Sequence, residues 1–271
     1  MRMLFNLENK VAIVTGGMGQ LGVQYVKTLI SAGAKVYIFD IQEGGQGREA
    51  LAQDLEEGSA ILIKTDITNE KQVRRAFREI EDRRELATIL VNNAGIDNPP
   101  GSDSDATGPF ESTSVEVFEA IVSSHLRGAF LVSREFATAI KDFPERPKNG
   151  SIINISSIYG VVAPDQELYK GRQPRFFKPI GYSVAKAGMI GFTRWLAEYL
   201  APDNIRVNAL VLGGVKRDQT DDFLIQYSKR TMLGRVAEEH EYNGAVLFLA
   251  SEASCYMTGS VMTIDGGWTA K

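Results

Sequence analysis

Short runs of β-branched and apolar residues alternate along this chain with longer stretches whose apolar positions recur every three or four residues. The runs have the length of buried strands, and the stretches have the period of helices that hide one face. The pattern predicts strands at Val11–Thr15, Lys35–Asp40, Ala60–Thr65, Thr88–Asn92, Ser151–Ile155, Ile205–Leu212 and Ser260–Ile264. Between them it predicts helices at Leu21–Ala32, Arg48–Glu56, Glu70–Arg83, Val115–Ile140, Ile180–Ala201 and Glu239–Ala250. Strands that are apolar nearly throughout, rather than alternating, belong to parallel sheets covered on both faces. The expected fold is α/β: residues 1–271 as one Rossmann-type domain, a doubly wound parallel sheet with helices on both faces. Such a sheet binds its ligands at the carboxyl ends of the strands.

Two stretches break this rhythm. Asp97–Gly108 is polar and rich in turn formers, as expected of a surface loop. Pro164–Pro179 separates Ser157 from the helix that follows, and long loops inside compact domains often act as lids over a site.

Composition narrows the function classes. The chain has 271 residues, 44% of them hydrophobic and 24% charged, an ordinary globular balance. A formal charge of -4 argues against nucleic acid or an anionic membrane as the main partner. One cysteine, Cys255, cannot make an internal disulfide, which fits a cytoplasmic protein. With only two histidines besides, His125 and His240, no His/Cys metal cage is expected. No run reads as a signal peptide or a membrane span, and the expected partner is a small-molecule substrate.

The first strand runs into Thr-Gly-Gly-Met-Gly-Gln-Leu-Gly at 15–22. Gly16, Gly19 and Gly22 allow a tight bend, close approach of backbone to a pyrophosphate and close helix packing. The helix amino terminus then offers N–H groups and a positive dipole end to phosphate. Asp40 closes the second strand, placed for the two ribose hydroxyls of an adenosine. Its carboxylate would repel a 2′-phosphate, and no Arg or Lys stands in the glycine turn, so NAD is expected in preference to NADP. A plain solvated strand-end carboxylate is the alternative for Asp40. Asp66 either accepts from an adenine amino group or caps the next helix. Asn92-Asn93-Ala94-Gly95 ends the fourth strand, to line a cofactor or to make a turn whose amides satisfy backbone groups.

Tyr182 and Lys186 are four apart on a helical stretch and so leave one face together, with Ser157 upstream. A phenol, an ammonium and a hydroxyl behind a dinucleotide turn suit the combined transfer of a hydride and a proton. Each taken alone would read as an ordinary surface residue.

Together these motifs, with Arg206-Val207-Asn208-Ala209 and the closing Thr258–Gly267, resemble the short-chain dehydrogenase/reductase family from about Leu7 to the carboxyl terminus. The resemblance implies that Tyr182 is the general acid/base and that Ser157 orients the reacting oxygen. Ser156 is the less fitting hydroxyl. A free tyrosine titrates near 10, too high for a base at neutral pH; Lys186, with the positive nicotinamide, is expected to lower it, and Lys186 also to hold the nicotinamide ribose. The resemblance further implies cofactor contacts at Gly16, Met18, Gln20 and Leu21 in the turn, and at Asp40, Asp66 and Ile67 after the next two strands. Asn93, Ala94 and Gly95 follow, and Gly213 and Val215 stand near the carboxamide.

The chain departs from the family pattern in four places. His125 stands where an asparagine usually holds a water linking the lysine to solvent. An imidazole there could keep that relay and make it pH-sensitive, or it could be a packed histidine satisfied by backbone. Gln20 replaces a glycine, a spacing shared with the family's extended branch, although length, Asn-Asn-Ala-Gly and the Asp-Gly-Gly ending favour the shorter branch. Leu212-Gly213 replaces the usual Pro-Gly. The segment between Ser157 and Tyr182 is longer than the family commonly shows, and must loop out near the substrate mouth.

That segment carries Lys170, Arg172, Arg175 and Lys178 among Tyr169, Phe176 and Phe177. Basic groups beside aromatics suit an anionic sugar phosphate or nucleotide sugar; the other reading is a solvated loop with its aromatics tucked onto the protein. Residues 158–164 and the Gly-Gly-Trp-Thr-Ala ending look like members associated with bacterial surface-polysaccharide and flagellin-sugar biosynthesis. A general alcohol or uronate dehydrogenase, a 3-oxoacyl-type reductase and a non-catalytic dinucleotide sensor are the alternatives. A homo-oligomer, tetramer or dimer, is expected through the fourth and fifth helices. Gly188 and Gly191 in the fifth weaken it by about 1 kcal/mol each relative to Ala, for close approach of a partner or for packing within the subunit.

Overall fold

In the computed structural model, residues 2–97, 107–143, 149–170 and 176–271 are described. Most of the loop expected at 97–108, and Arg172 and Arg175 of the basic segment, lie outside them. In chain order the first half forms β1 (Val11–Thr15), α1 (Gln20–Ser31), β2 (Lys35–Asp40), α2 (Gln46–Ala50), α3 (Ala52–Glu57), β3 (Ala60–Lys64), α4 (Glu70–Asp82) and β4 (Ile89–Asn92). The second half adds α5 (Val115–Val122), α6 (Gly128–Lys141), β5 (Gly150–Ser157), α7 (Ile180–Leu200), β6 (Ile205–Leu212), α8 (Asp221–Ser228), α9 (Asn243–Ala250) and β7 (Val261–Ile264).

The seven strands pair in the order β3-β2-β1-β4-β5-β6-β7, every pair parallel. This is the doubly wound Rossmann-like sheet that the sequence predicts. Successive strand residues serve opposite layers, as a two-residue period requires. Val14 and Ile38 pack with Val26, Leu29 and Leu249 on one face, whereas Ile13 and Phe39 pack with Ile80, Phe136 and Leu200 on the other. Because all strands point the same way, Thr15, Asp40, Asn92, Ser157 and Leu212 close their strands at one rim. The order reverses between β1 and β4, which opens the crevice on that rim. Among the described residues no helix is long and apolar enough to cross a membrane.

Four expectations about elements need correction. The helix expected at 48–56 is two short ones, meeting at Leu51, whose φ of -106° leaves the helical range. The single helix expected at 115–140 is interrupted at Ser123–Arg127 by one wider turn, the kind of bulge that re-aims a side chain. Glu239–Tyr242 is a 3₁₀ turn leading into α9. The sequence reading missed α8, although Thr220 accepts from the Phe223 N–H and two acidic residues follow, a common start signal.

The rim is shaped by residues without side chains. Gly16 has φ +63°, and a Cβ there would lie 2.8 Å from the Ala94 Cα. A Cβ on Gly22 would lie 2.1 Å from the Gly16 carbonyl oxygen, so α1 sits as close to the turn as backbone allows. Gly22→Ala is expected to push α1 outward and cost about 1–3 kcal/mol, read as a lower urea midpoint at unchanged slope. An unaltered midpoint would show that the turn tolerates the added methyl.

Candidate active site

The crevice begins with a cross-tie between β1 and β4. The Thr15 Oγ1 accepts from the backbone N–H groups of Asn93 at 3.0 Å and Ala94 at 3.1 Å. In return the Asn93 amide donates to the carbonyls of Thr15 and Gly16 at 3.1 and 3.0 Å. Asn93 therefore holds the glycine turn in place, the second of the two roles its sequence allowed. Asn92 lies deeper and donates to Ser133 Oγ and Asn154 Oδ1. Thr15 was not singled out from sequence, because its partners are 78 and 79 residues away.

Asp40 is buried and accepts from Met18 N–H and Gln42 N–H, both at 2.9 Å, one on each carboxylate oxygen. It thereby ties the glycine turn to the end of β2. The α1 amino terminus has Gly19 as its cap residue and no side-chain hydrogen bond there. A helix start without a side-chain cap, behind a left-handed glycine and beside a carboxylate, fits the pyrophosphate and ribose of a dinucleotide. Gln20 reaches away to donate to the Lys216 carbonyl at 2.8 Å, and Leu21 lines the catalytic cleft.

Asp66 does not cap α4. Asn69 does, accepting from Lys71 and Gln72, while Asp66 accepts from the Thr68 backbone and hydroxyl. The side chain of Ile67 packs in the core against Gly128 rather than in the cleft. Ala94 backs Gly16, and Gly95 leaves room for the His125 ring, which a Cβ would meet at 1.9 Å.

Leu21, Asn93, Gly95, His125, Ser157, Tyr182, Lys186, Gly213 and Val215 come together around one cleft of about 430 Å³. Tyr182 and Lys186 enter from the first two turns of α7, and Ser157 from the last residue of β5. Two bonds lock helix to strand: Lys186 Nζ donates to the Ile155 carbonyl at 2.9 Å, and Ser156 Oγ donates to the Lys186 carbonyl at 2.7 Å. Ser156 is thereby committed to structure, and Ser157 is the hydroxyl that lines the cleft with the Tyr182 phenol. Gly213 N–H continues the sheet to Ile264, and Val215 bridges to Ala237.

Among the protein's own groups, burial rather than Lys186 dominates the phenol. Burial pushes the Tyr182 phenol up, the Asp97 carboxylate adds to the rise, and the Ser157 hydroxyl works against it. Burial likewise brings the Lys186 ammonium down to about 8, with Asp97 opposing. Desolvation of the phenolate outweighs the attraction of an ammonium 5.6 Å from the ring. The protein's own groups thus favour the neutral phenol.

His125 is buried on the wide turn, with Nε2 3.0 Å from the Ile96 carbonyl and Nδ1 without a partner among the described residues. A neutral ring with its proton on Nε2 satisfies that carbonyl. Burial, then Lys186, hold its pKa well below 6.5, which disfavours the charged form of a relay; Nε2 is satisfied by backbone, as in a packed histidine, and Nδ1 is not. Of the segment's described aromatics, Tyr169 is buried in tilted contact with Phe176 and Phe223, and its hydroxyl lies 3.2 Å from that of Tyr159. Lys170 pairs with Glu167, and only Lys178 and Tyr169 of the segment line the cleft among the described residues. Tyr159, Tyr227 and Asp97 also line it and escaped the sequence reading. Gly188 faces Leu126 of its own chain, whereas Gly191 faces open space.

A family model described as Enoyl-(Acyl carrier protein) reductase matches residues 18–269. A 3-oxoacyl-acyl-carrier-protein reductase of Aquifex aeolicus is 31% identical over 272 residues, covering 98% of this chain and 99% of its own. The Post-translational flagellin modification protein A of Campylobacter coli is 30% identical, covering 97% and 99%. Among solved structures, a short chain dehydrogenase from Leptospira borgpetersenii with bound NAD+ is 34% identical, with TM-score 0.84 and coverage of 97% and 94%. A gluconate 5-dehydrogenase from Burkholderia cenocepacia in complex with NADP and tartrate is 27% identical, with TM-score 0.84 and coverage of 100% and 99%.

Since His125 stays neutral when folded but takes up a proton near pH 6.5 when unfolded, it favours folding above that pH. This contribution is lost as pH falls below 6.5, because the unfolded chain then binds more protons. Urea melts between pH 7 and 5 should show a shallower loss for His125→Gln than for the wild type; parallel losses would contradict the assignment.

Proposed function

The chain belongs to the short-chain dehydrogenase/reductase family and is a nicotinamide-dinucleotide oxidoreductase acting on CH–OH groups; we propose that it uses NAD(H) to interconvert a secondary alcohol and a ketone on a sugar, sugar phosphate or nucleotide sugar. The observation that carries the reading is the meeting of Ser157, Tyr182 and Lys186 in one cleft beside the glycine turn. The bound nicotinamide supplies or accepts the hydride. Tyr182 donates its phenolic proton to the carbonyl oxygen in reduction, and in oxidation its phenolate form takes the alcohol proton. Ser157, on the same cleft wall, orients the reacting oxygen. Lys186 brings an ammonium into the cleft, held by the Ile155 carbonyl.

The NAD preference rests on Asp40, whose buried carboxylate would face a 2′-phosphate; relatives of this fold bind either form. The sugar reading rests on the polar, multiply hydroxylated cleft wall and on the flagellin-modification relative, and it would place the activity in surface-polysaccharide biosynthesis. Turnover of a panel of sugar phosphates and nucleotide sugars with NAD is the direct test. Tyr182→Phe should lower kcat by about 10²–10⁴-fold with NADH binding kept, and Asp40→Ser should shrink the NAD over NADP preference roughly tenfold or more. Retained turnover in the first variant, or an unchanged preference in the second, would remove the corresponding role.

Self-association is supported by an apolar strip on the outer faces of α6 and α7, where Phe130, Val184, Trp195 and Tyr199 are exposed. We infer a homo-oligomer paired through those helices. Trp195→Glu should shift the mass measured by light scattering toward the monomer; an unshifted mass would place the contact elsewhere.

A further inference from the structure

Lys178 and Asp97 form an ion pair of 2.9 Å on the cleft wall whose two partners are unequal. The lysine side chain is 11% exposed and the carboxylate 58%. Lys178 is fixed: its backbone N–H donates to Gln166 Oε1 at 2.9 Å, and α7 begins two residues later. Its ammonium sits 4.1 Å from the centroid of the Tyr182 ring, closer than that of Lys186. Asp97 hangs from the segment beyond β4, with most of its carboxylate in water. A sequestered ammonium requires an anion, whereas an exposed carboxylate regains its hydration when released. The exchangeable member of the pair is therefore Asp97.

The surrounding charge points the same way. Among the described residues lining the cleft, Lys178, Lys186 and Arg217 are cationic and Asp97 is the one carboxylate. Lys178 helps to bring Lys186 down while Asp97 opposes it, so the two lysines feel each other across the site. The space beside the ammonium already accommodates a carboxylate at contact distance.

We propose that Lys178 is the substrate's anion receptor, and that Asp97 holds its place until a carboxylate carried close to the reacting carbon displaces it. The substrate class is then a small hydroxy or keto acid, such as a sugar acid, with its carboxylate on Lys178 and its reacting oxygen at Tyr182. The inference rests on Tyr182 being the acid/base, and it narrows the sugar reading to acidic sugars.

The test is calorimetric titration of gluconate, tartrate and inorganic phosphate into the full chain, with and without NADH, on wild type, Lys178→Met, Lys178→Arg and Asp97→Asn. The wild type should bind the two carboxylates more tightly than phosphate. Lys178→Met should weaken them roughly tenfold or more, Lys178→Arg should restore most of the binding, and Asp97→Asn should tighten it several-fold by removing the competing anion. Far-ultraviolet dichroism confirms that each variant is folded. Absence of carboxylate binding to wild type, equal binding to Lys178→Met, or tighter binding of phosphate would overturn the proposal. Parallel rates with NAD on gluconate and on its neutral counterpart glucitol separate the two readings. Turnover of glucitol without preference for gluconate defeats the anion receptor alone, whereas carboxylate binding through Lys178 with no alcohol oxidised by NAD defeats the dehydrogenase reading.

Discussion

The chemistry of this protein depends on the clamp between β5 and α7. Two buried hydrogen bonds, Lys186 Nζ to the Ile155 carbonyl and Ser156 Oγ to the Lys186 carbonyl, fix the helix in both axial position and rotation. Once they are made, Tyr182 one turn earlier must face Ser157 at the end of the strand. The clamp also explains why consecutive serines differ in duty. In a strand, neighbours point to opposite sides, so Ser156 meets the helix backbone and Ser157 meets the cleft. The close fit is completed at Gly160, where a Cβ would lie 2.6 Å from the Lys186 carbonyl carbon.

Around this clamp, desolvation rather than pairwise attraction sets the charge states. The phenol rises, the ammonium falls to about 8 and the imidazole stays neutral, all with burial as the leading cause. The cleft therefore favours each group's uncharged form relative to water, and the Asp97 carboxylate at its rim has leverage over the phenol and the ammonium. Asp97 raises both the phenol and the ammonium.

Much of this was legible in the sequence. The bounds of β1 and β2 follow from apolar runs ended by Gly or a polar residue, and those of β6 from β-branched and apolar residues around Arg206 and Asn208. The helical spacing of Tyr182 and Lys186 suffices to put them on one face. What escaped was non-local or smaller than a period. The wide turn at Ser123–Arg127 inserts no breaker residue, so the apolar pattern runs across it. Thr15 and Asp97 matter only through partners far along the chain. The strength of burial around Tyr182 also escaped, because neighbouring residues do not reveal how much water each group loses.

The nesting of the His125 ring over Gly95 has a consequence for sequence drift. The imidazole fills the volume that any side chain at 95 would need, and the wide turn delivers it there. Positions 95 and 125 are thus bound to change together: a methyl at 95 becomes admissible only after 125 has shrunk, so a lineage that acquires the histidine forfeits every alternative to glycine opposite it.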